Sequence, residues 1–394
     1  MKKKKDWIIC YSGKWSDNYI YGIGNLILEY NKKNKNILWV NSPNIRNVSF
    51  KRIGNRKIFI KLFTKRLMSV FLFLKKKSPS FFILNPIFLP YTENENIEKI
   101  NFILIRLQIK FVLYFLQIQN ADLFCTSPID AYKIFDISKI RIYIHYFADK
   151  YTDYREASKV IKEKMNKIEK SIIERANIVM CSSKQIKQKL NDKYNIVVEY
   201  LPHGVDFAHF QKYENTYLDF TRYKRPIIGY FGSLTNANDK DVLVKIAECG
   251  FTMMLVGEVK GDYENLKKYD NIIFTGPIEY SCIPSYARYF DVGIMAWIQS
   301  DWIKNSNPKK TYEYLALGLP IVSTYIPELK KLEKFIYFAD TPLEFIMKIE
   351  HALQENNNEK IRDRKEEAKN NDWSKRLEYL ENVKLNYLKK QYEK

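Results

Sequence analysis

The sequence predicts an α/β protein with two doubly wound, parallel-sheet domains. Short apolar runs typical of buried strands alternate with longer segments of helical periodicity. The apolar runs end at Gly, Pro, Asn or Ser, as strands do where they pass into loops. A length of 394 residues is sufficient for two domains with full cores, and 46% hydrophobic and 15% aromatic residues indicate a folded chain.

The first half contains the elements of one parallel sheet. A strand over 6–11, a helix over 21–30 and a strand over 36–40 form a βαβ unit. Further strands are predicted over 81–86, 121–128, 139–146 and 176–183, with a long helix over 97–119 and a charged helix over 159–175. We expect this domain to span residues 1–201.

The second half repeats the alternation. Strands and helices follow one another from residue 227 to about residue 338, which predicts a second domain over 202–360. The remaining segment, 361–394, is highly charged and helical in pattern, with Trp373, Leu377 and Leu380 among its apolar residues.

The most informative stretch predicts a short helix between a loop and a buried strand. Asn307 is a candidate N-cap, Pro308 suits the first turn and Gly318 ends the helix. The start of such a helix offers backbone N–H groups and a positive dipole end, and Lys309 and Lys310 add two cations. This combination indicates a site for a diphosphate.

Two neighbouring features extend this site. Glu313, one turn into the same helix, is placed to accept hydrogen bonds from a ribose diol. Gly232 and Ser233 follow an apolar strand and form a candidate second cradle, although a plain tight turn fits them as well. A phosphate cradle beside an acceptor for sugar hydroxyls indicates a nucleotide-sugar site.

An ordered set of motifs precedes this stretch. It consists of Pro-His-Gly-Val-Asp at 202–206, Gly-Tyr-Phe-Gly-Ser-Leu at 229–234, Leu-Val-Gly at 255–257, Ile-Phe-Thr-Gly-Pro at 273–277 and Asp-Val-Gly-Ile at 291–294. Together they resemble the donor domain of retaining glycosyltransferases of the GT-B fold, in the family-4-like group that includes teichuronic-acid and capsule enzymes. The resemblance covers roughly residues 200–330. In the first half it is carried by the Ala-Asn-Ile-Val and Cys-Ser-Ser pieces of 176–183.

The resemblance implies a GT-B fold, in which two Rossmann-like domains face each other across a cleft and a C-terminal helix crosses back. It implies transfer of a sugar from a nucleoside diphosphate donor, with uridine as the expected base, to a lipid-linked or glycan acceptor, with retention of configuration. Lys310 would stabilise the leaving diphosphate, assisted by Lys309 and the amides of Ser306 and Asn307. Glu313 would bind the ribose, and Gly276 with Pro277 would line the donor site.

The resemblance also assigns roles to two residues of the first domain, and at one position this sequence differs from the group. Asp149 lies where the group carries an Asp just after a strand, so it could orient or deprotonate the acceptor hydroxyl, or simply cap the strand. Gly13 would allow close approach of a substrate, or form an ordinary turn. Asn305 stands where many relatives have a second glutamate; its amide can bind a sugar hydroxyl but carries no charge.

Other functions stay open. The same fold serves nucleotide-sugar 2-epimerases, which would need more carboxylates and histidines around the cleft than this chain offers. A catalytically inactive relative that binds carbohydrate or nucleotide sugar is compatible with Asn305. The net charge of +20 makes nucleic-acid binding a third alternative. Because the second half is neutral and the sequence has no recognised nucleic-acid module, we expect no nucleic-acid partner.

The charge excess lies entirely in the first half. Residues 1–200 contain 37 Lys and Arg against 17 Asp and Glu, whereas residues 201–394 contain 28 of each kind. Within 51–77 there are ten basic residues and no acid, and an apolar helical face from Phe59 to Leu74 is predicted there. We expect this segment to lie on an anionic membrane surface, and the alternative is an ordinary surface helix with a solvated lysine face.

The remaining composition favours a cytoplasmic protein at the inner face of the membrane. Five scattered cysteines without a Cys-x-x-Cys pair argue against a disulfide framework, and four histidines without ligand-like spacing argue against a metal. We therefore expect neither a metal nor another cofactor. The basic N-terminus is followed by an apolar run too short for a signal peptide, and no stretch is long enough to span a bilayer.

Overall fold

A computed structural model describes residues 6–16, 22–42, 73–89, 95–129, 131–135, 137–149, 159–212 and 223–393. These residues form two separate sheets, each covered by helices on both faces. The α/β class is therefore confirmed.

The first sheet has eight strands in the order β3-β4-β2-β1-β5-β6-β7-β8. All neighbours are parallel except β3, which runs antiparallel to β4 at the edge. The strands are β1 (Trp7–Ser12), β2 (Asn36–Asn41), β3 (Leu74–Ser78), β4 (Phe81–Leu84), β5 (Ala121–Cys125), β6 (Ile140–Phe147), β7 (Ile178–Cys181) and β8 (Glu199–Tyr200). The helices that follow them are α1 (Gly22–Lys32), α2 (Glu95–Phe115), α3 (Lys159–Arg175) and α4 (Lys184–Tyr194).

The second sheet has six parallel strands in the order β11-β10-β9-β12-β13-β14. They are β9 (Ile227–Phe231), β10 (Thr252–Val256), β11 (Ile272–Gly276), β12 (Val292–Met295), β13 (Ile321–Ser323) and β14 (Ile336–Phe338). The helices of the second half are α5 (Phe207–Gln211), α6 (Lys240–Glu248), α7 (Ile283–Ala287), α8 (Asp301–Asn305), α9 (Lys309–Ala316), α10 (Pro342–Gln354), α11 (Asn358–Asn370) and α12 (Trp373–Tyr392).

The C-terminal segment divides at Asp372, which caps α12. Helix α11 packs against α9 of the second half. Helix α12 alone crosses back, and its Trp373, Leu377 and Leu380 enter the core between the first sheet and α1. The helix that crosses back therefore begins at Trp373, later than the start of the predicted segment 361–394, because Asn371 and Asp372 interrupt the helical run.

The chain passes twice between the two halves at the same place. The backbone of Val205 pairs with Asn371 and with Trp373, so the outgoing and returning segments are hydrogen-bonded to each other. Asp206 caps α5. His203 and Asp206 thus lie where the chain crosses between the two halves.

One prediction for the basic segment 51–77 is wrong at its end, and the rest lies outside the described residues. Leu74 does not belong to a helix: it opens β3, pairs with Leu84 and packs against the sheet core. A turn at Pro79 and Ser80 reverses the chain into β4, and residues 74–78 are extended because they pair with that strand. Lys75, Lys76 and Lys77 are exposed on this edge strand, where lysines discourage unwanted pairing.

Within the described residues, no helix is both long and apolar enough to cross a bilayer.

Candidate functional site

The carboxyl ends of the parallel strands in the second sheet form an edge rich in glycine. Gly232, Gly257 and Gly276 follow or end β9, β10 and β11, and all three have positive φ. Gly257 approaches so closely that a Cβ there would lie 2.3 Å from the carbonyl oxygen of Gly232. Only glycine accommodates this backbone, so the edge presents peptide groups directly to the space beyond the strands.

Lys310 lies over this edge. Its ammonium stacks on the ring of Tyr230, 3.8 Å from the centroid, with the Trp297 ring at 5.4 Å. It also lies 3.0 Å from where a Cβ on Gly232 would be. Among the described residues no carboxylate lies within ion-pair distance of it. An uncompensated cation between a glycine turn and a helix start is suited to bind phosphate oxygens.

Glu313 lies deeper on the same helix and is only 3% exposed. Its Oε1 accepts a hydrogen bond from the Tyr280 hydroxyl at 2.8 Å and faces the Lys309 ammonium at 2.8 Å. The Lys309 ammonium also lies over the Tyr280 ring, which stacks on His209 at 4.8 Å. Lys309 is thus engaged with Glu313, and Lys310 is the cation directed at the glycine edge.

The start of α9 differs from the prediction. Helix α9 begins at Lys309, Pro308 occupies the cap position, and no side chain caps the helix. Asn307 is buried and donates from Nδ2 to the Ser182 carbonyl of the first half at 2.9 Å, so the predicted N-cap role is wrong. The predicted end is confirmed: Gly318 has a φ of +79° and its amide closes the last turn.

The loop before α9 joins the two halves of the molecule. The Ser183 hydroxyl donates to the Asn305 carbonyl at 2.6 Å, and the Ser306 hydroxyl donates to the carbonyl of Ile303 at 2.8 Å. Asn305 is only 5% exposed, which places it against the first half. Glu328 adds a second connection, because it accepts from the Lys184 amide and the Tyr200 hydroxyl.

Asp149 reaches the same loop from the other side. It follows β6, and its Oδ1 accepts from the indole of Trp302 at 3.2 Å. Burial raises the pKa of Asp149, and the Trp302 hydrogen bond opposes the rise. A carboxyl with a raised pKa beside the loop before α9 has the properties of a proton acceptor or a positioning group.

The facing edge of the first sheet is polar but mostly uncharged. Ser12 hydrogen-bonds Thr126 at 2.6 Å, and Ser42 hydrogen-bonds Ser127 at 2.6 Å. At the neighbouring ends of β2 and β4, Asn41 donates to Asn85, also at 2.6 Å. These hydroxyl and amide groups at strand ends are of the kind that bind sugar hydroxyls.

Other predicted residues lie at the periphery. Gly13 is exposed on the loop after β1, with no atom within 4 Å of a Cβ position. Ser233 and Pro277 are exposed beyond β9 and β11, and Gly276 has no atom within 4 Å of a Cβ position either. The structure thus brings Lys310 and Gly232 together, with Lys309 and Glu313 on the same helix.

Sequence reasoning missed four partners in this region, three side chains and one backbone carbonyl. Tyr280 holds Glu313, Tyr230 supports Lys310, Trp302 donates to Asp149, and the Ser182 carbonyl accepts from Asn307. A signal existed for Tyr280, which follows the Gly276 turn by four residues, and for Tyr230, which belongs to the motif before Gly232. The other two contacts join residues more than 100 positions apart and leave no local pattern.

His145 lies in the core of the first half, on β6. His145 is completely buried, and burial lowers its pKa to about 3. Its Nδ1 lies 3.0 Å from the Tyr143 hydroxyl. In the described part of the chain no three His, Cys, Asp or Glu side chains come together as a metal-binding group.

Comparison with known proteins gives a consistent result. No protein-family model matches the chain. The chain is 28% identical over 237 residues to TuaH of Bacillus subtilis (strain 168), which is assigned as a teichuronic acid biosynthesis glycosyltransferase. The match covers 55% of this chain and 60% of that relative.

Solved structures match over nearly the whole length. Sucrose-phosphate synthase from Thermosynechococcus elongatus has a TM-score of 0.65 at 13% identity and covers 98% of this chain and 99% of its own. The trehalose-6-phosphate protein from E. coli bound with UDP-2-fluoro glucose has a TM-score of 0.64 at 10% identity. That match covers 96% of this chain and 98% of the E. coli protein. At such low identity these matches establish the fold, which is the GT-B fold predicted from the sequence.

Proposed function

We propose that this protein is a glycosyltransferase that moves a sugar from a UDP-sugar to a glycan or lipid-linked acceptor in bacterial surface polysaccharide synthesis. The observation that carries the proposal is Lys310, a cation without a carboxylate partner among the described residues, held over the Gly232 turn at the start of α9. Glu313 on the same helix, and the 28% identity to a teichuronic acid glycosyltransferase, support it.

In the proposed reaction the bond between the anomeric carbon and the phosphate oxygen breaks, and a bond to the acceptor hydroxyl forms. Negative charge then grows on the departing diphosphate. Lys310 and the backbone amides near Gly232 and at the start of α9 would stabilise this charge without rearrangement. Gly276 and Pro277 would border the donor, and Glu313, held by Lys309 and Tyr280, would accept hydrogen bonds from the ribose.

The acceptor would lie on the facing edge of the first sheet. The uncharged hydroxyls and amides there, between Gly13 and Thr126, suit a sugar with many hydroxyl groups. We propose that Asp149 orients the attacking acceptor hydroxyl. The proton of that hydroxyl passes to the departing phosphate on the same face of the sugar, so that the configuration at the anomeric carbon is retained. This arrangement needs no strong base in the protein.

We also propose that the enzyme works at the cytoplasmic face of the membrane, where a lipid-linked acceptor would be presented. The basic segment 51–77 supports this location through charge alone, since ten cations without an acid favour an anionic surface.

A thermal-shift screen with nucleoside diphosphates and their sugars tests the proposal. A ligand that binds the native state raises its stability by about 2.7 kcal/mol at a hundredfold excess over Kd. We expect UDP and at least one UDP-sugar to raise Tm, and Lys310→Ala to remove the shift. Stabilisation by polynucleotide instead, or by no nucleotide at all, would refute the proposal.

Discrimination from a 2-epimerase requires product analysis. With the stabilising UDP-sugar and a glycan acceptor, we expect UDP release that depends on the acceptor. Conversion of the donor to its C2 epimer without acceptor would contradict the transferase proposal.

A further inference from the structure

Helix α2 covers one face of the first sheet and leaves its outer face apolar. Its inner side chains are buried in the sheet core. Seven large apolar side chains on the outer face are between 36% and 80% exposed: Ile100, Ile103, Leu104, Leu107, Phe111, Tyr114 and Phe115. Their spacing follows the helical repeat, so they form one continuous stripe along the helix, here called the α2 stripe.

A row of cations runs along one side of the α2 stripe. Lys99, Arg106 and Lys110 are exposed and recur at intervals of seven and four residues, which places them on one flank of the helix. The acids of α2 are confined to its first turn, at Glu95 and Glu98, and Glu98 is paired with Lys164. From Lys99 onwards the outer face is therefore apolar and positively charged only.

The opposite flank is built rigidly and is also apolar. Gln108 binds the backbone of Ile87 through both atoms of its amide at 2.7 Å, and buried Asn101 does the same to Leu89 at 2.7 and 3.0 Å. These amides hold the half-buried residues 87–89 beside the helix. The apolar surface is thus wider than the stripe and does not depend on a loose loop.

We propose that the α2 stripe lies on an anionic lipid bilayer, with its apolar side chains among the acyl chains and its cation row against lipid phosphates. A helix in the plane of the interface combines an apolar face with basic residues at its border in this way. The charge argues against an antiparallel two-fold contact with a second copy of this chain, because that contact would bring two identical cation rows together.

The topology of the first sheet shows which edge of the sheet the proposed membrane contact lies beside. Strands β4 and β5 are parallel to the rest of the sheet, and α2 connects them, so α2 starts at the carboxyl edge, where the candidate cleft lies. A bilayer along α2 would therefore present lipid-linked material to that edge. The proposal extends the membrane contact from segment 51–77 to a described surface, and it does not depend on sugar transfer.

Vesicle co-sedimentation tests the proposal with the full chain. Vesicles of phosphatidylcholine and phosphatidylglycerol in equal parts should bind the protein, and phosphatidylcholine alone should bind it far less. The pair Leu107→Glu and Phe111→Glu should weaken binding by about tenfold or more, as expected when burial of two large apolar side chains is lost. The triple change of Lys99, Arg106 and Lys110 to Gln should weaken it by about 100-fold, since each cation contributes about fivefold.

The matched control is Leu343→Glu with Met347→Glu. These residues are 62% and 59% exposed on α10 of the second half, so the same chemical change is made on a surface without the proposed role. We expect unchanged vesicle binding there. The UDP thermal shift should be the same in all three variants, so loss of lipid binding is distinguishable from failure of the donor site.

Three results would overturn the proposal. Vesicle binding of Leu107→Glu with Phe111→Glu equal to wild type would show that the α2 stripe does not contact lipid. Absence of vesicle binding together with a dimer that the same change dissociates would assign the stripe to a second copy. A fall in Tm of this variant without loss of vesicle binding would assign the stripe to a segment of the same chain.

Discussion

The two sheet edges that face each other differ in how they use charge. The first half carries the whole excess of +20, yet its carboxyl edge is lined by neutral pairs such as Ser12 with Thr126. The second half is neutral overall, yet its edge holds Lys310 without a carboxylate partner in the described part of the chain. Net charge therefore does not locate an anion site; what matters is whether a cation is compensated and where it points.

The largest expected effect on the difference between the two edges comes from changing Lys310. Replacement by Ala should lower turnover by about 100-fold or more, because a charge-stabilising group at the leaving diphosphate is removed. Lys304→Ala is the control, since this exposed lysine lies six positions away in α8. Steady-state rates of UDP release measure both. Equal rates for the two variants would remove Lys310 from the reaction.

Glu313 tests the same edge through binding. Glu313→Gln keeps the shape but loses the charge that holds Lys309, so UDP affinity should fall by about tenfold to 100-fold, as for loss of hydrogen bonds to a charged group. Isothermal titration with UDP measures the loss. Glu333→Gln, an exposed acid of the same half, should leave the affinity unchanged. Unaltered binding in Glu313→Gln would exclude a ribose contact.

Substitutions at two glycines distinguish the effect of backbone strain on stability from the effect on UDP binding. Gly232 and Gly250 both have positive φ, at +126° and +78°, but only a Cβ on Gly232 would approach the Lys310 ammonium. Both Gly→Ala changes should lower the free energy of unfolding by about 1–3 kcal/mol through strain. Only Gly232→Ala should weaken UDP binding, by about tenfold, the equivalent of about 1.4 kcal/mol. Equal UDP affinities would contradict the account.

The smallest expected effect is a pH-dependent change in Tm on substitution of Asp149, at the carboxyl edge of the first sheet. Burial raises the pKa of Asp149, so the folded state binds this proton more tightly than the unfolded state does. Its contribution to stability is then present below the unfolded pKa of about 3.9 and is lost as pH rises through the folded pKa. Asp149→Asn should therefore match wild type in acid and exceed its Tm by a few degrees at neutral pH. Thermal unfolding at several pH values measures this, and a lower Tm at neutral pH would contradict it.

Local signals explain what could be predicted from the sequence. Helix 159–175 has the predicted bounds, and Gly318 ends α9 as expected, because periodicity and a left-handed glycine act within a few residues. The place of Lys310 at a helix start is visible in the sequence. Its aromatic support is not, because the ring of Tyr230 comes from a strand 80 residues earlier.

Long-range contacts explain what could not. Asn307 looks like an N-cap beside Pro308, but a better partner, the Ser182 carbonyl, comes from the other half of the molecule. Leu74 continues a helical pattern, but pairing with Leu84 in the sheet edge outweighs it. In both residues a tertiary contact overrides a local preference that the sequence states correctly.

A crystal structure with bound UDP tests the central claim most directly. We predict that diphosphate oxygens lie within hydrogen-bond distance of the Lys310 ammonium and of the backbone amide beside Gly232, with the ribose hydroxyls on Glu313. A diphosphate bound elsewhere, with Lys310 still resting on Tyr230 and no phosphate near it, would contradict the account.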